Sequence, residues 1–138
     1  YTGKVRVVRY VAAIDCGTAV NPKLAEGQVE GAVANGIGYA LTEELLFGDR
    51  GQCLNASLRH YRIQGPRDLP AIETILVPTW EPTGPYGAKS VSEICMNGPL
   101  PAISNAIFDA VGVRLLKSPF TPERVWRALS SNETRGDR

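Results

Sequence analysis

The chain has 138 residues, with 15 Lys and Arg against 14 Asp and Glu and a formal charge of +1. So even a balance gives no electrostatic hold on nucleic acid or an anionic membrane surface, and no apolar run reaches the length of a bilayer span. At 43% hydrophobic and 21% charged residues the composition is that of one globular domain.

No signal-peptide pattern opens the chain, which starts on Tyr1 rather than methionine, as expected of a piece cut from something longer. Cys16, Cys53 and Cys95 are far apart, odd in number and without a CxxC pair. They make no disulfide framework and favour a reducing, cytoplasmic setting in which they fill space. Structural zinc ligands come in close-spaced pairs, so with a single histidine, His60, no metal ligand set is expected. His60 itself reads as a strand residue beside Tyr61.

Taken in order, Lys4 to Ile14 is Val-rich, alternates in part, and predicts a strand that Asp15-Cys16-Gly17-Thr18 breaks. Asn21-Pro22 is a helix start, with Asn21 as cap and Pro22 at the first helical position. The predicted helix runs from Pro22 to Leu46, closed by Glu43 and Glu44, and carries glycine at 27, 31, 36 and 38. Each interior glycine costs roughly 0.5–1 kcal/mol relative to alanine. Close packing against backbone or against a ligand would offset that cost. Gln28 projects from this smooth surface and is either the polar group that addresses a ligand or an ordinary surface residue.

Gly48-Asp49-Arg50-Gly51 is the turn of an expected hairpin between Leu45–Phe47 and Gln52–Asn55. Leu58–Ile63 and Ile72–Pro78 are expected as short strands joined by the proline-containing loop 64–70. A second helix is predicted over Leu100–Val113, with Gly112 near its end. Within it Asn105 is either a buried amide or an exposed neutral position. Thr121-Pro122 opens a third helix ending at Leu129, and the polar residues 131–138 read as a disordered tail after a domain spanning 1–130. The fold class is α+β, helices packed on short mixed or antiparallel strands.

Gly84-Pro85-Tyr86-Gly87-Ala88-Lys89-Ser90-Val91-Ser92-Glu93 is too small and irregular for a core strand. Its glycines and proline suit close backbone approach to a ligand, with N–H groups aimed at oxygen atoms. Glu93, at its end and followed by Ile94-Cys95, is either a surface carboxylate or a general base.

Several stretches in register resemble one family. They are Asp15-x-Gly17, Asn21-Pro22, Gly27-Gln28-Val29-Glu30-Gly31, Gly36-x-Gly38, Glu43-Glu44, Tyr61-x-Ile63 and Asp68-x-Pro70. Gly84-Pro85-x-Gly87-Ala88-Lys89 with Glu93, Asn105-Ala106 and Pro119-x-Thr121-Pro122-Glu123 complete the set. Together they resemble the C-terminal part of the molybdopterin-binding subunit of the xanthine dehydrogenase/aldehyde oxidase family.

The resemblance implies a molybdenum hydroxylase using molybdopterin, commonly as its cytosine dinucleotide in bacteria, that hydroxylates a purine, another N-heterocycle or an aldehyde with oxygen from water. In that family the glutamate matching Glu93 is the base, and the glutamine matching Gln28 lies in a segment lining the cofactor. By the same resemblance Gly27 and Gly87, Ala88, Lys89, Ser90, Val91 and Ser92 surround it, the latter run supplying backbone donors. Lys89 matches a family lysine that either pairs structurally or touches cofactor. Electrons leave through iron–sulfur clusters and FAD held on other domains or subunits, the expected partners together with the rest of the molybdopterin subunit. Two departures stand out: Ser90 and Ser92 replace glycines, and the family's cofactor domain is several times longer than this chain. The chain is therefore expected to be inactive alone, with an exposed apolar face that promotes association. The alternative is a non-catalytic structural or assembly subunit that keeps the fold.

Overall fold

The computed structural model describes residues 2–136, with side chains described to residue 131. The architecture is α+β. Strand β1 (Arg9–Ile14), helix α1 (Pro22–Leu41) and strand β2 (Ala71–Leu76) come first, followed by helices α2 (Pro99–Val111) and α3 (Pro122–Gly136). Short 3₁₀ turns cover Pro85–Gly87 and Glu93–Asn97. The sheet is a parallel pair, Arg9 opposite Ala71 through Ile14 opposite Leu76. The antiparallel contacts expected among the strands are, in the described residues, two isolated bridges, Gly17–Ala88 and Phe47–Cys53.

β1 starts later than the valine run because the alternation changes phase. Val5 and Val7 turn inward, Val8 and Arg9 both face out, and Tyr10, Ala12 and Ile14 turn inward again. Only the second phase pairs with β2, where Arg9 also forms an ion pair with Glu73.

α1 is the centre of the core. Val29, Val33, Ile37 and Ala40 are fully buried and meet Ile103 and Ile107 of α2, Phe120, Val125 of α3 and Cys95. Its start is as expected, with Asn21 Oδ1 accepting from the Leu24 N–H at 3.1 Å and Pro22 in the first turn. Its end is not. The helix stops at Leu41, well before Leu46, because the backbone beyond is claimed by side chains from elsewhere. Asn55, buried, donates to the Glu44 carbonyl at 2.7 Å and accepts from the Leu46 N–H at 2.9 Å. Glu43 instead folds back over Gly38 and accepts a hydrogen bond from the Tyr61 hydroxyl at 2.7 Å. Glu44 takes a bidentate contact from Arg124 at 2.8 and 2.9 Å, tying α3 to the end of α1. Such planar pairing is specific to arginine.

The hairpin reduces to the turn at Gly48–Gly51 and the single Phe47–Cys53 bridge, with the Leu54 N–H on the Leu46 carbonyl at 2.7 Å. Leu58–Ile63 is not a strand. His60 and Tyr61 N–H groups both donate to the Ser57 carbonyl, and Ser57 Oγ lies 3.2 Å from His60 Nδ1, so a local turn wins. α2 ends at Val111, short of the expected Val113, capped by a left-handed Gly112 (φ 68°) whose N–H reaches the Phe108 carbonyl. Asn105 is exposed and accepts from Arg114 at 2.7 Å. α3 continues past Leu129 to Gly136, so residues 131–136, expected as tail, extend the helix. The last two residues of that expected tail, Asp137 and Arg138, lie outside the described residues.

The accessible surface is 9873 Å² for 14.9 kDa, against roughly 7,000 Å² for a compact monomer of that mass. Large apolar side chains are among the exposed ones, including Val8, Leu24, Leu58, Trp80 and Leu116. A groove of about 910 Å³ runs between the N-terminal segment and α2 and α3, lined by Val5, Val7, Ala102, Ile103, Ala106 and Val125 among others. An exposed apolar face of the expected kind lies along this groove, between the N-terminal segment and the helices α2 and α3.

Candidate active site

A smaller cavity of about 210 Å³ sits where the break after β1, the first turns of α1 and the glycine-rich segment meet. Cys16, Thr18, Ala19, Val20 and Asn21 form one side, Leu24, Ala25 and Gln28 of α1 a second, and Ala88, Lys89 and Val91 the third. Residues 60 positions apart or more converge here because two loops zip together. The Thr18 N–H donates to the Gly87 carbonyl at 2.9 Å, and the Lys89 N–H donates to the Cys16 carbonyl at 2.8 Å. Gly17, at φ 64°, sits so close that a Cβ there would strike the Gly87 carbonyl oxygen. Any side chain would push the loops apart.

The glycine-rich segment turns back on itself. Tyr86 and Gly87 both take positive φ, 55° and 77°, and a Cβ on Gly87 would run into the Trp80 ring. Tyr86 in this left-handed region is uncommon for an aromatic residue, and its ring is exposed. Ser90 and Ser92 have negative φ, so neither position requires the left-handed backbone that favours glycine.

Of the sequence-predicted site residues, Gln28, Ala88, Lys89 and Val91 line the cavity. Gly27, Gly87, Ser90, Ser92 and Glu93 do not line it. The donors expected from Gly87 to Ser92 are fewer than anticipated. The N–H groups of Gly87, Ala88 and Lys89 are taken by the carbonyls of Gly84, Pro85 and Cys16. Those of Ser90, Val91 and Ser92 donate to no described residue.

Glu93 opens the second 3₁₀ turn two residues past Val91, and its side chain is exposed, with no hydrogen bond or ion pair to a described residue. Gln28 is likewise exposed, and its amide has no partner among the described residues. Gly27 and Gly31 meet nothing where a Cβ would stand, whereas Gly36 is packed against Pro99 and the Met96 carbonyl. Half of the glycine pattern is thus explained within the chain.

Sequence reasoning missed Asp15 as a structural centre. Its Oδ2 accepts from Lys89 Nζ at 2.5 Å, and its Oδ1 accepts from Thr79 Oγ1 at 2.5 Å and from the Gly17 N–H at 2.9 Å. The last bond is an Asx turn, which Asp-x-Gly does signal locally. The other two come from far along the chain. Chiefly through the Lys89 hydrogen bond, then those from Thr79 and Gly17, the carboxyl is held down at about 2. A depressed folded-state value contributes stability that is full above about pH 4 and is lost as pH falls through about 2. Carboxyl-carbon NMR of the chain is expected to show Asp15 titrating near 2, and a midpoint near 4 would mean the contact is not kept in solution.

Residues 1–70 match the family described as the molybdopterin cofactor-binding domain. The chain belongs to this family. It is 44% identical to the probable hypoxanthine oxidase XdhD of Escherichia coli K12 over 93% of its own length and 14% of that protein's. It is 36% identical to the carbon monoxide dehydrogenase large chain of Hydrogenophaga pseudoflava, over 95% of this chain and 17% of the relative. Among solved structures, quinoline 2-oxidoreductase from Pseudomonas putida 86 superposes with a TM-score of 0.87 at 34% identity, covering 94% of this chain and 17% of that one. The resemblance read from the motifs and the α+β class both hold. The chain spans about a sixth of the length of these relatives. Glu93 and the segment leading into it lie beyond the residues that match the domain family, yet within the span shared with the relatives.

Proposed function

We propose that this chain forms one wall of the cofactor site of a molybdenum hydroxylase, with Glu93 as its general base. The substrate class is a purine, another N-heterocycle or an aldehyde, as in the relatives whose names specify hypoxanthine, quinoline and aldehyde. What supports the reading is the meeting, at one cavity, of the free Gln28 amide with the segment that leads into Glu93. The rest of the molybdopterin subunit and the iron–sulfur and FAD units are its proposed partners, in the cytoplasm.

The residues present fit a polar heterocycle. Gln28 offers both a donor and an acceptor that no described residue satisfies, and the N–H groups of Ser90 to Ser92 donate to no described residue. Leu24, Val20 and Val91 give the same cavity apolar sides. Bound molybdopterin, as its cytosine dinucleotide or otherwise, supplies the oxygen-transfer and redox chemistry. The chain's own part is to hold and orient. Gln28 bonds the heterocycle edge and Val91 faces it across the cavity, while Gly27, Ser90 and Ser92, outside the cavity lining, meet the parts of the cofactor that extend beyond it. Gly87, Ala88 and Lys89 act through position, since their N–H groups are already used. The Glu93 carboxylate, without a partner among the described residues, takes up the proton released as water-derived oxygen is transferred.

The test is Gln28→Ala in the assembly that carries this chain. One lost hydrogen bond is worth about a tenfold weakening. Pterin released on denaturation is expected to fall while the chain stays folded, and an unchanged pterin content would contradict the role of Gln28.

A further inference from the structure

Lys89 stands four residues before Glu93, and its N–H is the last in the glycine-rich segment seen to donate to a carbonyl outside it. From Ser90 to Ser92 no N–H is held by a described residue, and Val91 and buried Cys95 are the next points packed against the core. Whatever fixes Lys89 therefore fixes where the segment departs toward Glu93. The Lys89 side chain is held by Asp15, and Asp15 is in turn held by Thr79 just after β2 and by the Gly17 N–H. One carboxylate thus joins the ends of both strands to the loop that carries the base.

We propose that Asp15 is a positioning residue for Glu93, acting through Lys89. The inference rests on the functional reading above, in which Glu93 is the base. It also assigns the lysine: Lys89 pairs within the protein. An exposed ion pair alone contributes little. Here the side chains are 34% and 40% exposed, and the pair closes a contact already made by two backbone hydrogen bonds and by the tight approach of Gly17 to Gly87. The consequence is geometric rather than a large gain in stability. A misplacement of about 1 Å in a reacting group can cost on the order of 100-fold in rate.

The experiment uses the assembly purified with its native partners. Asp15→Asn keeps an oxygen for Thr79 and Gly17 and removes the charge facing Lys89. Hydrogen–deuterium exchange of segments 15–18 and 84–93 is expected to rise about tenfold while Val29–Ile37 in α1 is unmoved. Turnover is expected to fall about 10–100-fold, with KM changed less than about threefold. Lys89→Met is expected to reproduce both effects, and the double variant to be no worse than either single one. If Asp15→Asn does not assemble, Thr79→Val keeps the ion pair and is expected to give a smaller rise in the same two segments. Unchanged exchange in those segments, or raised exchange with unaltered turnover, overturns the proposal. An assembly lacking molybdenum overturns the functional reading and with it the catalytic half of this one. The exchange comparison still decides whether Asp15 anchors the loop.

Discussion

Replacing Glu93 by glutamine is expected to cut turnover of the assembly by about 10²–10⁴-fold, the usual contribution of a positioned general base. Molybdenum and pterin content are expected to stay at the parent level. The two outcomes separate cleanly because Glu93 does no structural work inside the chain. Its side chain is exposed and bonded to no described residue, so the amide leaves folding untouched. Glutamine also keeps the volume and polarity of the side chain. What it loses is the ability to accept a proton, so the loss should appear in kcat and kcat/KM together. Full turnover with cofactor retained would instead support a chain that keeps the fold while catalysis resides elsewhere.

The second large effect concerns two glycines of one helix. Gly36→Val is expected to destabilise the chain by about 1–3 kcal/mol through overpacking. A Cβ at position 36 would lie 2.6 Å from Pro99 Cγ, 2.9 Å from Pro99 Cβ and 3.0 Å from the Met96 carbonyl oxygen. The proline ring is rigid and fully buried, so relief requires moving the start of α2 away from α1. Gly31→Ala, five residues earlier on the same helix, is expected to act in the opposite sense. Nothing stands within 4 Å of its Cβ site, so the change removes the helix cost of glycine, about 0.5–1 kcal/mol. Urea unfolding of the two variants checks both signs. Equal effects at the two positions would mean that α1 and α2 do not pack as described.

How much of this was readable beforehand depends on whether a feature was local. Asn21-Pro22, Gly112 and Thr121-Pro122 gave the ends of helices because capping is decided within a turn of the chain. The end of α1 was not readable in the same way. Asn55 claims the Glu44 and Leu46 backbone from across a loop, and no periodicity near residue 41 announces it. The strand pairing has the same character. β1 and β2 are parallel and separated by a helix and a long loop, and the phase change at Val8–Arg9 that sets where pairing begins is a packing result. At the site, the motifs carried Gln28 and the segment into Glu93 to one place. They could not reveal that Gly87, Ala88 and Lys89 spend their N–H groups on the chain itself, nor that Asp15 and Lys89, 74 positions apart, are paired. The glycines at 27 and 31 were expected to pack against backbone or against a ligand, and they meet no described residue, so only the second alternative stays open for them.

The most direct test of the central claim is elemental analysis of the native protein, purified with whatever accompanies it. The expected result is about one molybdenum per complex, together with molybdopterin, in the same fraction as this chain. A complex that contains this chain in full amount and no molybdenum would contradict it.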